Sequence, residues 1–301
     1  MFDKILVPLD GSPLSERALA PALALAQQPG TKLILARVPA ADGAHDTRGH
    51  EPPTGRQLEV SRREIRSYFE KLRGAQTPDI QISTLIPEGN VASALVDTAA
   101  AEHVDLILMS THGYSGVTRW LLGSVTEKVL RLAPCPVLAV RTTQPIEKIA
   151  ITLDGSELSE SAIEPGLELA RRFNAGVTFL RSVPNVKIDR SLDETEHGLS
   201  RRAQQDLIDE AAAYLAARVE RSAPAGLEIK TEVRVGPAAD TIYEFVEAYN
   251  TDLIVMATHG RTGLQRWVYG SVTEKVLQSI NTSLLIFRPI KPKRWSMRSS
   301  E

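Results

Sequence analysis

Short apolar runs alternate along the whole chain with longer segments of mixed character. Lys4-Ile5-Leu6-Val7-Pro8-Leu9 is nearly all apolar and stops at Asp10-Gly11-Ser12, as a buried strand does when it runs into a turn. Ser15 to Gln28 is rich in alanine and leucine, which favours helix. Lys32 to Val38 predicts a second strand, and Arg56 to Arg73 sets Leu58, Ile65, Phe69 and Leu72 on one helical face. The polar stretch between them, with Gly43, Gly49, Pro52, Pro53 and Gly55, predicts a mobile loop. Gln81 to Ile86 predicts a strand and Val91 to Glu102 a helix. Asp105 to Met109 is a continuous apolar strand of the kind buried on both faces. A helix at Val125 to Leu132 and a strand at Val137 to Val140 complete the series.

The series is then written a second time. Gly123-Ser124-Val125-Thr126-Glu127-Lys128-Val129-Leu130 recurs letter for letter at Gly270-Ser271-Val272-Thr273-Glu274-Lys275-Val276-Leu277, 147 residues on. Thr111-His112-Gly113 returns at the same spacing as Thr258-His259-Gly260, Asp105-Leu106-Ile107 as Asp252-Leu253-Ile254, and Gly89 as Gly236. Asp10-Gly11-Ser12 returns as Asp154-Gly155-Ser156, 144 residues on. This period is far above that of a solenoid repeat, so each copy is expected to be a domain. The predicted boundaries are 1–143 and 144–289, joined near Thr142-Thr143-Gln144-Pro145, with a disordered basic tail at 290–301. Five strands alternating with four helices imply a doubly wound α/β fold, a Rossmann-like parallel sheet in each domain, because each parallel crossover needs a helix. Ligands of such sheets sit beyond the carboxyl ends of the strands, where the strand order switches.

Composition narrows the function classes. The 301 residues are 43% hydrophobic and 24% charged, and 35 lysines and arginines against 37 aspartates and glutamates leave a net charge of −2. That balance argues against a general nucleic-acid binder, whose phosphate affinity needs a basic surface. No apolar run reaches the length of a membrane span. The first residues enter a strand directly, without a signal-peptide layout, and Cys135 as the single cysteine excludes an internal disulfide framework. A cytoplasmic protein is expected.

The candidate chemistry lies between the fourth strand and fourth helix of each copy. Copy one reads Met109-Ser110-Thr111-His112-Gly113, nine residues, then Gly123-Ser124; copy two reads Met256-Ala257-Thr258-His259-Gly260, nine residues, then Gly270-Ser271. Glycines permit close backbone approach, and a Gly-Ser at a helix start offers free N–H groups, a hydroxyl and the positive dipole end to an anion. The same residues have a purely structural reading. Ser124-Val-Thr-Glu127 and Ser271-Val-Thr-Glu274 fit the capping-box pattern S-x-x-E, which needs no ligand.

With these residues in view, the chain resembles a tandem universal stress protein over about residues 1–289. That family's nucleotide motif is G-x2-G-x9-G-[S/T]; Gly113 and Gly260 match its second glycine, Gly123-Ser124 and Gly270-Ser271 its last pair. Ser110 and Ala257 stand where the first glycine is expected; both are small, although a position needing positive φ would strain them. The resemblance implies an ATP-binding stress-response sensor, not a dedicated enzyme. It places Asp10 and Asp154 near the nucleoside, and Val38 and Val183 against the adenine. Pro8 stands just before Asp10, whereas copy two has Thr152-Leu153 in place of Pro8-Leu9. Ser124, Thr126, Ser271 and Thr273 would then hydrogen-bond the phosphates, with Met109, Val125, Met256 and Val272 completing the binding residues. Mg²⁺ would bridge phosphate oxygens, needing no dedicated metal site on the protein.

Other residues are less telling. Asp10 also suits an ordinary Asp-Gly-Ser turn. His112, His259, Arg119 and Arg266 lie between or beside the glycines within reach of a phosphate, but read more readily as solvated loop residues. Cys135, whose counterpart is Thr282, reads as a small buried residue. The alternative to a nucleotide sensor is an interaction module in which the two domains pair as an intramolecular pseudodimer, covering the edges of the last strands. Further homodimerisation is open. Dedicated hydrolysis is disfavoured, because the chain has no P-loop lysine, nucleophile elbow or metal-ligand cluster.

Overall fold

The computed structural model describes residues 1–39, 55–75, 79–111, 122–186, 194–224, 226–258 and 270–288. The predicted loop after the second strand falls largely outside these residues, as do His112, Gly113, Arg119, His259, Gly260, Arg266 and the tail at 290–301. The chain divides into two compact units, Met1–Thr143 and Gln144–Glu301.

The first unit runs β1 (Lys4–Pro8), α1 (Leu19–Ala26), β2 (Lys32–Ala36), α2 (Gly55–Gly74), β3 (Gln81–Leu85), α3 (Val91–Ala101), β4 (Leu106–Ser110), α4 (Ser124–Leu132) and β5 (Val137–Val140). All its pairings are parallel: β1 lies between β2 and β4, β3 flanks β2, and β5 flanks β4. The second unit runs β6 (Lys148–Thr152), α5 (Glu157–Glu160), α6 (Ile163–Phe173), β7 (Gly176–Val183), α7 (Glu194–Ser222), β8 (Ile229–Val235), α8 (Ala238–Tyr249), β9 (Leu253–Ala257), α9 (Ser271–Ser279) and β10 (Ser283–Phe287). Here β6 lies between β7 and β9, β8 flanks β7, and β10 flanks β9. Each unit is the doubly wound α/β arrangement that the alternating pattern predicts.

The helix crossovers decide which strands are core. Covered on both faces, β4 and β5 are buried at every residue, while the outer β3 and β8 are largely intermediate or exposed. The predicted helix at Ser15 to Gln28 is broken: a 3-10 turn occupies Ser15–Ala18 and α1 starts at Leu19. Pro21 then sits in the first turn of α1, where its missing N–H costs no helical hydrogen bond.

At the amino ends of the strands one carboxylate ties neighbouring strands together. Asp105, just before β4, accepts from the Asp3 and Lys4 N–H groups at 3.0 and 2.9 Å. Asp252, just before β9, accepts from Glu147 and Lys148 at 3.0 and 2.9 Å. The repeated Asp-Leu-Ile is thus a fastening at the end of the sheet away from the crevice. Among the described residues no helix is long and apolar enough to cross a membrane.

Candidate functional site

Strand order reverses between β1 and β4 in the first unit and between β6 and β9 in the second, so a crevice opens beyond their carboxyl ends. Two segments meet there in each copy: the Asp-Gly-Ser turn after β1 or β6, and the start of α4 or α9.

The turn is built the same way twice. Asp10 Oδ1 accepts from the Ser12 N–H and hydroxyl at 2.8 and 2.6 Å, and the Ser12 hydroxyl oxygen accepts from the Ser15 N–H at 3.1 Å. Asp154 Oδ1 accepts from the Ser156 N–H and hydroxyl at 2.9 and 2.6 Å, and Ser156 Oγ accepts from Ser159 N–H at 3.1 Å. The glycine between has φ +85° in Gly11 and +92° in Gly155, the left-handed region that a side chain resists. Partial burial raises the Asp154 carboxyl's pKa, but the hydrogen bonds from Ser156 and Ser159 outweigh it and hold it below the ordinary 3.8. Asp10 is partly exposed and Asp154 exposed, so both sit at the mouth.

At the second segment the capping-box reading fails. The N-caps are Gly123 and Gly270; Ser124 and Ser271 are already the first helical residues, and neither helix has a side-chain cap. Glu127 and Glu274 therefore stand at the fourth helical position, one residue too far for the box. The helix start is set from inside. Thr126 is 3% exposed and donates its hydroxyl to the Ser110 carbonyl at 3.1 Å, tying α4 to the end of β4. The Thr126 hydroxyl is thus engaged within the protein. Thr273 is buried to the same degree, at 4% exposure.

Gly123 is glycine for a reason other than backbone freedom, since its φ is −59°. Its N–H donates to the Thr111 carbonyl at 2.9 Å, and a Cβ would stand 2.9 Å from that same oxygen. Gly270 has φ −55°. The first-glycine positions need no positive φ either. Ser110 and Ala257 simply end β4 and β9, and the non-glycine residues with positive φ among those described are His103, Asn174 and Asn250. The anticipated strain is absent.

Ser124 and Ser271 are exposed, with Val125 and Val272 partly so, at the open first turn of each helix. Pro8 ends β1 and is buried; Met109 and Met256 are buried strand residues of the core. Val38 and Val183 are both buried beyond Ala36 and Leu180, but they are not equivalent. Pro8 pairs with Ala36, and Thr152 with Leu180, so the register counterpart of Val38 is Ser182. An extra residue after Arg181 carries Val183 one place on, where it pairs with Val235.

Sequence reasoning left two features out of the site. Thr111 and Thr258 follow β4 and β9 at 1% and 2% exposure, and the Thr258 hydroxyl is buried with no hydrogen-bond partner among the described residues. Arg37 and Arg181 lie across the Asp-Gly-Ser turns. Their signal was available, for they keep the same 144-residue spacing as Asp10 and Asp154. Cys135 is partly exposed, and burial pushes its thiol up to about 12.

Two doubly wound units, each with a helix amino end and an aspartate turn beyond the switch point, define a duplicated α/β protein. The universal stress protein family model matches residues 1–141 and again 145–288, and the chain belongs to that family as a tandem member. A Thermus aquaticus universal stress protein is 38% identical over 144 residues, which are 47% of this chain and all of that protein. The universal stress protein E homolog of Haemophilus influenzae is 26% identical over 249 residues, 78% of this chain and 77% of that one. In fold, the chain is similar to a putative universal stress protein structure from Pseudomonas aeruginosa, with TM-score 0.67 and 20% identity over 96% of this chain and 94% of the other.

Proposed function

We propose that the chain is a stress-response regulator that holds one ATP in each crevice and reports occupancy to a partner, without dedicated turnover. The observation that carries this reading is the uncapped first turn of α4 and α9. Among the described residues the glycine N-caps supply no side-chain cap hydrogen bond, and an exposed serine hydroxyl stands at the first helical position. An anion is the natural occupant of such an end, because the orphan N–H groups and the helix dipole both favour negative charge. The Thr258 hydroxyl, without a hydrogen-bond partner among the described residues, adds a donor after β9 in copy two.

In this reading the triphosphate lies on Gly123-Ser124-Val125-Thr126 and Gly270-Ser271-Val272-Thr273, through main-chain N–H groups and the serine hydroxyls. The nucleoside extends toward the Asp10 and Asp154 turns. Among the described residues no group of three or more His, Cys, Asp or Glu side chains is placed to hold a metal. Mg²⁺ therefore fits as an ion carried by phosphate oxygens and water, stabilising the bound phosphate charge. The reading further takes the protein as cytoplasmic, free of nucleic acid and membrane.

A second reading has its own support. Thr152 in place of proline and the shifted Val183 change the base side of copy two. In that case one site is degenerate and the two domains serve as an intramolecular pseudodimer for partner binding. Denaturing freshly purified protein and identifying released nucleotide by mass spectrometry separates the two. Close to two ATP per chain supports two working sites; close to one, retained by a copy-two variant but lost by a copy-one variant, supports the second reading. If the protein is empty and gains no nucleotide at millimolar ATP, both nucleotide assignments fall.

A further inference from the structure

Arg37 stands one residue past β2 and lies across the turn that follows β1. A Cβ on Gly11 would be 2.5 Å from its Nη1 and 2.8 Å from its Cζ, so the guanidinium occupies the space that glycine leaves free. It also stands over the Tyr68 ring, with Cζ 5.3 Å from the centroid, and Tyr68 donates its hydroxyl to Glu16 at 2.8 Å. Copy two rebuilds the arrangement. A Cβ on Gly155 would be 3.2 Å from Arg181 Nη2, Arg181 Cζ lies 4.6 Å over the Tyr214 ring, and Tyr214 donates to Glu160 at 3.0 Å. Arg218 reinforces it, 3.0 Å from the Glu160 carboxylate and 5.1 Å from the same ring. Arg37 and Arg181 are both partly exposed, and among the described residues neither guanidinium has a hydrogen-bond acceptor or an ion-pair partner.

The tyrosine and the glycine turn hold each cation, while its N–H donors meet no acceptor among the described residues. An arginine has five such donors in a planar fork, and side-chain packing that fixes the plane lowers the cost of using them. The residue before each of these glycines is an aspartate whose Oδ1 accepts two hydrogen bonds within its turn. A fixed acceptor beside a fixed donor matches a ribose cis-diol: one hydroxyl donates to the carboxylate, and the oxygen of the other accepts from the guanidinium. We propose that Arg37 and Arg181 are ribose-reading residues, forming with Asp10 and Asp154 a donor–acceptor pair that selects ribonucleotides. This inference rests on the nucleotide reading above and names the part of the ligand that the arginines contact.

The test measures equilibrium binding of ATP and 2′,3′-dideoxy-ATP to the full chain by calorimetry. The proteins compared are wild type, the double variant Arg37→Met with Arg181→Met, and the double variant Arg37→Lys with Arg181→Lys. Wild type is expected to prefer ATP by about tenfold or more, the scale of one hydrogen bond to a charged group. In the methionine variant the preference falls to the part that Asp10 and Asp154 supply, while dideoxy-ATP binds within about twofold of wild type because its contacts are unchanged. Lysine, with a charge but no fork, restores part of the preference. Two results overturn the proposal: a ribose preference undiminished in the methionine variant, or equal losses for both nucleotides, which makes the arginines structural. Failure of wild type to bind either nucleotide overturns the nucleotide reading itself, and this inference with it.

Discussion

Gly123→Ala is the sharpest test of how the crevice is built, because its cost can be worked from one contact. The added Cβ would stand 2.9 Å from the Thr111 carbonyl oxygen, about 0.5 Å inside ordinary contact, and that oxygen belongs to the backbone. Relief requires the start of α4 to move away from the end of β4. The Gly123 N–H to Thr111 carbonyl bond, now 2.9 Å, would stretch toward the weak limit of such bonds. Overpacking of this kind costs about 1–3 kcal/mol, which lowers the melting temperature by roughly 3–10 °C for a domain of this size. The backbone angles of Gly123 suit alanine, so no left-handed strain adds to it. Calorimetry on the full chain reads the shift, and peptide-level hydrogen exchange locates it. Peptides covering β4 and α4 should lose protection while those of the second unit keep theirs. An unchanged transition with full protection in α4 would refute the close approach. A bulkier residue such as leucine meets the same oxygen, so it cannot report on ligand contact alone.

Ser124→Ala separates ligand from packing: the side chain is exposed, so the transition should stay within about 1 °C while ATP affinity falls by about tenfold. Equal affinity in titration calorimetry would remove the hydroxyl from the site. Thr126→Val breaks the bond to the Ser110 carbonyl and should cost about 1 kcal/mol in urea unfolding; no change in midpoint would show that this bond does not anchor α4. Burial, then the bond to Glu160, raises the Tyr214 phenol from 10.0 to about 12. The neutral phenol thus stabilises the fold fully below pH 10 and loses that contribution as pH climbs through the folded value, so Tyr214→Phe should flatten the fall in urea midpoint between pH 10 and 12. A curve identical to wild type would contradict the shift. Cys135, pushed up to about 12, should resist a disulfide reagent at pH 8 in the native protein and react once unfolded; rapid native labelling would count against its burial.

The strands were legible because continuous apolar runs are what a doubly covered parallel sheet requires, and β4 is buried at all five positions. The duplication made the domain plan legible as well. The site was only half readable. Ser-x-x-Glu fits a helix that starts at Ser124 or one residue earlier. The choice is made by Thr126 reaching the Ser110 carbonyl, 16 residues back in the chain. Val38 and Val183 correspond as the second-strand valines of the two copies, whereas hydrogen-bond register follows the strand and counts the inserted residue. Arg37 meets Tyr68 from a helix 31 residues on, beyond the reach of any local pattern. Only the shared spacing of the two copies could have revealed that pair.

Asp105 and Asp252 bear on how a duplicated chain diverges. Each carboxylate gathers two backbone N–H groups at the floor of its own sheet. Integrity and ligand choice are thereby assigned to opposite ends of the strands. Substitutions at the rim, such as proline to threonine or an inserted residue after a strand, leave those fastenings untouched. Selection can then retune one crevice while its twin keeps the ancestral task.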